Sequence, residues 1–223
     1  VTFSTDSGSA VTVVDTTALD LLALSAASLS VTAGGAVTDS GTLAVSGATT
    51  ISASGQDITL DEAASTFGAL ALTGANVAVT ENAATDLAAS TVSGTLGITS
   101  AGAVTDSGTL AITGATTISA SGQDITLDEA ASTFGTLALT GSNVAVTENA
   151  AMDLGASTIG GTANFNSTSN VITDSGTLAI TGATTINAGT ADITLDQAAS
   201  TFGALALTGA NVAVTENAAT DLA

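Results

Sequence analysis

Asp39, Asp106 and Asp174 open three copies of one text, Thr-Asp-Ser-Gly-Thr-Leu-Ala, and the second interval between them is longer than the first by a single position. A near-constant period of this length dictates architecture before any single residue does, because a unit too small to bury its own apolar face must stack on its neighbours. The copies run over 35–101, 102–169 and, in part, 170–223. They follow a more diverged partial copy, 1–34, in which Val11-Thr-Val-Val-Asp15 aligns with Val77-Ala-Val-Thr-Glu81. These segments form one continuous array, and the text breaks off at Ala223 in mid-copy, as a slice of a longer chain would.

Shorter runs recur inside each copy: Leu43-Ala-Val-Ser-Gly, Leu70-Ala-Leu-Thr-Gly, Leu96-Gly-Ile-Thr-Ser and Leu110-Ala-Ile-Thr-Gly. They alternate apolar with small or hydroxyl residues, which is the period of a strand with one buried face. Gly114, Gly122, Gly135 and Gly141, flanked by Ser, Asn and Asp, supply the corners between them. The chain has no proline, so every strand can give all its N–H groups to a ladder. Asp128-Glu-Ala-Ala-Ser is too short for a helix and reads as a corner.

Strands this short cannot stand alone, but each can pair with the next coil at about 4.8 Å. The expected fold is therefore all-β, a parallel β-solenoid built from ~67-residue repeats, with the crossover preference favouring a right-handed winding. Leu, Ile, Val and the recurring Phe67, Phe134 and Phe202 point inward; Thr, Ser and Asp point outward. The intervals from Leu43 to Leu70, Leu96 and Leu110, two long and then one about half as long, admit two windings, three wide coils per copy or five narrow ones. With three coils, equivalent carboxylates would stand about 14 Å apart.

Charge narrows the function. Lys, Arg and His are absent against 20 Asp and Glu, a net charge of −20, so no side-chain ion pair can form and stability must come from apolar burial and backbone hydrogen bonds. Phosphate binding needs Lys and Arg, so nucleic acid is excluded as a partner, and anionic membrane surfaces are disfavoured. No long unbroken apolar run predicts a membrane helix. Trp and Tyr, which form the girdles of membrane barrels, are missing. Cysteine is absent, so neither a disulfide nor a thiolate site exists. The charge keeps an apolar chain soluble and discourages lateral clumping.

Asp-Ile-Thr-Leu-Asp, Thr-Phe-Gly, Asn-Val-Ala-Val-Thr-Glu-Asn-Ala, Asp-Leu-Ala-Ala-Ser-Thr-Val-Ser-Gly and Gly-Ala-Val-Thr-Asp-Ser-Gly-Thr-Leu together resemble the repeats of giant bacterial surface proteins of the filamentous hemagglutinin type, exported by two-partner secretion. The likeness covers the chain from about residue 11. It implies an extracellular shaft, filament or sheath at the bacterial cell surface, structural or adhesive, with cell-surface or glycan ligands and no catalytic residues; self-association is expected separately, from the unpaired strand edge at an open end of the stack. The total lack of Lys and Arg departs from what a heparin contact would require.

The alternative reading is a binding module. Asp57, Asp61 and Glu62, repeated as Asp124, Asp128 and Glu129 and in part as Asp192 and Asp196, are the calcium candidates, since a hard cation takes six to eight oxygens. They lack the spacing of an EF-hand or of a calcium nonapeptide, and solvated corner acids are the plainer reading. Thr-Thr-Ile at 49–51, 116–118 and 184–186 suggests a hydroxyl ladder for ice, against the plainer view that threonine suits an exposed strand face. Asn76, Asn143 and Asn211 are expected to bond corner backbone. Paired acids also serve glycosidases, but these recur in near-identical settings without any cationic group beside them, so no enzyme is expected.

Overall fold

The computed structural model describes residues 8–217 and 219–223; of the diverged stretch 1–34, residues 1–7 lie outside the described residues. Among the described residues all regular structure is β, 29 short strands without a helix. The strands stack into two long ladders, one following 12 strands from Ala10–Asp15 to Asp221–Leu222 and the other 11 strands from Leu19–Leu21 to Val212–Val214. Pairing is parallel throughout. The protein is a parallel β-solenoid of about 11 coils.

Alternation builds each coil. In Leu43–Val45 the end residues are buried and Ala44 is exposed, and most of the short strands have the same in-out-in pattern. Register then stacks like on like. Val13, Val31, Ile51 and Leu72 lie one above another in the first sheet. All four are buried. Each such side chain contributes about 1.5–3 kcal/mol, and the column continues from coil to coil as one core.

Register also fixes the winding. Ala69 sits beneath Asp86 and Thr49 beneath Leu70, so the length of one coil is the stretch of chain between such partners. Neither three nor five coils of that length fit a repeat. The repeat makes three and a half, because each coil carries two strand positions and each repeat fills seven. The Leu-Ala-Ile-Thr-Gly run misleads as a coil counter, since it occurs on whole strands and on fragments of strands alike.

One face of every coil is a single strand; the other is split in two. Thr49–Ser52 and Ala69–Gly74 are unbroken strands of the first sheet. Opposite them Val37–Asp39 is followed by Leu43–Val45, and Ile58–Leu60 by a lone bridge from Thr66 to Ala44. In the next repeat the arrangement is reversed. Leu96–Ser100 and Thr116–Ser119 are now unbroken in the second sheet, while the first carries the pairs Val104–Asp106 and Leu110–Ile112. Thr184–Asn187 returns the unbroken strand to the first sheet.

Tight corners keep the two faces together. A Cβ on Gly135 would stand 2.4 Å from the carbonyl oxygen of Gly114, and one on Gly114 would stand 2.5 Å from that of Gly94. Only glycine lets three coils approach so closely. The single extra position between Asp106 and Asp174 falls between Asn166 and Ile172, where Thr168 and Ser169 take φ of 48° and 77°. The Asn166 carboxamide oxygen accepts the Thr168 N–H there at 3.2 Å.

Candidate functional site

Of the acids chosen from the sequence, Asp57, Asp124 and Asp192 are spent on corners. Asp57 Oδ1 accepts the Asn76 backbone and side-chain N–H groups, both at 3.0 Å, and Asn76 Oδ1 in turn accepts the Thr95 N–H at 3.0 Å. Asp124, Asn143 and Thr162 repeat this stair, and Asp192 and Asn211 begin it again. The expectation that these asparagines bond corner backbone is met at Asn76 and Asn143, whereas the Asn211 carboxamide bonds the Asp192 carboxyl. The Asn143 N–H groups hold the exposed Asp124 carboxyl below its ordinary value.

Asp61 and Glu62 stand at the far end of strand Ile58–Leu60 from Asp57. Asp61 and Asp128 offer their backbone N–H, each at 2.8 Å, to the carboxylates of Asp39 and Asp106 one coil below. The Glu129 N–H adds a second bond to Asp106, at 3.3 Å. Asp196 and Gln197 serve Asp174 in the same way. Burial nevertheless pushes Asp39, Asp106 and Asp174 up from the usual carboxylate value, outweighing those N–H groups. Among the described residues no three Asp or Glu side chains converge on a point that could hold a metal ion.

Nor do the equivalent sites line up. Asp57 leads into a strand of the second sheet, Asp124 into one of the first. They are three and a half coils apart, about 17 Å along the axis and on opposite sides, in place of the roughly 14 Å that three coils would give. The Thr-Thr-Ile segments alternate likewise. Thr49, Thr116 and Thr184 point inward and are fully buried, their hydroxyls without a partner. Only Thr50, Thr117 and Thr185 reach solvent. Phe67, Phe134 and Phe202 are core, as expected.

What sequence reasoning passed over lies at the joints between repeats. Val77 and Val79 point inward on strand Val77–Glu81, and so does Glu81. Glu81 is 2 % exposed and Glu148 0 %. At each joint the split face below ends with a Phe N–H that no strand covers, and the glutamate supplies the acceptor. The Phe67 N–H donates to Glu81 Oε1 at 2.7 Å, the Phe134 N–H to Glu148 Oε2 at 2.9 Å. The other oxygen of each carboxyl is buried and has no partner. Burial raises the Glu81 carboxyl, against the Phe67 N–H, while the Thr85 hydroxyl beside it donates to Ser100 Oγ at 3.0 Å. Glu148 has buried Met152 where Glu81 has Thr85, and burial pushes it up to about 8. The signal was present in the alternation, where Val77, Val79 and Glu81 share one parity.

Fold and joints together define a two-sheeted β-solenoid whose repeat ends where its faces exchange roles. Residues 8–73, 74–140 and 141–209 each match the family described as repeats of unknown function (DUF5649). The chain belongs to that family. A periodic text can be cut at any phase, and the family's cut, unlike one at Gly35, coincides with the exchange of faces at 73–74 and 140–141. No curated protein and no solved structure matches the chain.

Proposed function

We propose that the chain is a length of structural shaft outside the cell, at a bacterial surface, of the kind that giant proteins of the filamentous hemagglutinin type build from such repeats. The observation that carries this reading is the pair of parallel ladders running from one end of the described chain to the other. A load along the axis is shared by backbone hydrogen bonds at every coil, and repeat number sets length. Much of the outer face is small and neutral, as in Ala44, Ala71, Ala78 and Gly97, with acids at corners and at the centres of three short strands, Asp20, Asp86 and Asp153. That surface suits a stalk that must not adhere to itself sideways. It gives nucleic acid no cation.

Wherever such a stack ends it presents an unpaired strand edge, and self-association into a filament or larger assembly follows from that edge. Cell-surface or glycan ligands belong to the same reading as partners of the shaft's faces. Calcium-dependent or ice-binding adhesion is the weaker reading. The stair through Asn76 and Asn143 occupies Asp57 and Asp124, and successive Thr-Thr-Ile segments face opposite ways. Negative-stain electron microscopy of purified protein tests the shaft. Rods whose length changes by about 17 Å per repeat added or removed support it, and discrete compact particles overturn it. Surface labelling and protease shaving of intact cells test the location.

A further inference from the structure

Glu81 and Glu148 occupy one structural place, the first coil of a new repeat above the last split face of the old one. Everything around them is neutral or apolar. Beneath Glu148 lie buried Ser132 and Phe134, beside it Met152, and above it Ser167; Glu81 has Ser65, Phe67, Thr85 and Ser100. The acids on the surrounding segments are Asp61, Glu62, Asp86 and Asp106 about Glu81, and Asp128, Glu129, Asp153 and Asp174 about Glu148. None of them contributes to the shift of either carboxyl.

The chain has no Lys, Arg or His to neutralise a buried anion. An unpaired carboxylate in such a place costs far more than a neutral acid, which still offers its carbonyl oxygen to the Phe N–H. A strand edge at the joint therefore depends on one proton.

We propose that Glu81 and Glu148 are proton locks, each closing a joint between repeats as a neutral acid and opening that joint to water when the proton leaves. Burial raises both carboxyls, Glu148 to about 8, so the joint that Glu148 closes stays shut past neutral pH.

The test follows the carboxyl and the amide it holds, in the whole 223-residue chain. Carbon-detected NMR titration of the glutamate carboxyls, assigned with Glu148→Gln, should place Glu148 near pH 8. Hydrogen exchange of the Phe134 amide, corrected for intrinsic rates, should lose at least tenfold protection between pH 6 and pH 9. Glu148→Gln should abolish that loss. A midpoint at the ordinary glutamate value of about 4.3, or the same loss of protection in Glu148→Gln as in wild type, overturns the proposal. If Glu148→Gln does not fold, the wild-type titration and the pH dependence of Phe134 amide exchange still decide.

Discussion

Thr49 and Thr116 hold the same position in consecutive repeats, and they lie in opposite sheets of the solenoid. An odd number of strand positions per repeat makes this unavoidable. The exposed neighbours Thr50, Thr117 and Thr185 give a direct check, because the chain has no cysteine of its own. Paired spin labels at Thr50→Cys and Thr185→Cys, on one face and seven coils apart, should report about 34 Å. Biotin at Thr50→Cys and at Thr117→Cys should project from opposite sides of a rod in micrographs. Labels on one side would refute the half-coil offset.

Close stacking at the corners separates glycines that look alike in the sequence. Gly135→Ala forces a Cβ to within 2.4 Å of a backbone oxygen that cannot move aside, whereas the nearest atom to a Cβ at Gly97 is 3.9 Å away. We expect Gly135→Ala to cost about 1–3 kcal/mol and Gly97→Ala to be neutral or slightly stabilising. Denaturant unfolding of the two variants measures the difference.

A buried hydroxyl holds each split face closed. Ser132 Oγ accepts the Leu110 N–H at 3.0 Å, and Ser132 is wholly buried. Ser132→Ala leaves that N–H without an acceptor and should cost about 1–3 kcal/mol, whereas the same change at exposed Ser46 should cost almost nothing. Thermal melts of the two variants suffice.

Stability should rise toward mild acid, the reverse of what paired carboxylates usually give. Burial raises Asp39, Asp106, Asp174, Glu81 and Glu148. A group raised in the fold keeps its proton where the unfolded chain has lost it. Its contribution is complete below the unfolded value of about 4 and drains away as pH climbs to the folded value. For Glu148 that window ends near 8, with a slope of about 1.4 kcal/mol per pH unit inside it. Self-repulsion of the acidic chain acts in the same direction. Melting temperatures should fall steadily from pH 5 to pH 8.5; a maximum at neutral pH would contradict the raised values.

Calcium should not stabilise the fold. The Asp57 and Asp124 carboxylates are bonded to asparagines, and among the described residues no three acids converge on one point. Melts with millimolar calcium and with chelator should coincide. A rise with calcium would show that the Asp57 and Asp124 carboxylates leave their corner bonds to bind it.

The alternation of Leu110, Ala111 and Ile112 was enough to orient side chains, and the period was enough to demand a stack, so the parallel solenoid was legible in the sequence. The coil was not. A residue's partner is fixed by how many residues the corners consume, and Gly-Ser-Asp corners of unequal length conceal that number. For the same reason Asp57 and Asp61 look like one cluster in the sequence although a strand separates them. Glu81 was readable in principle, since it shares the inward parity of Val77 and Val79. Acidity suggested surface, but the uncovered N–H of Phe67, which calls for a buried acceptor, appears only in three dimensions.

The exchange of faces makes repeat count a matter of parity. Duplicating one unit in the gene would do more than lengthen the rod. It would turn everything distal to the insertion through half a revolution, and a second duplication would turn it back. Whatever such a shaft carries at its tip would point one way on even lengths and the other way on odd ones.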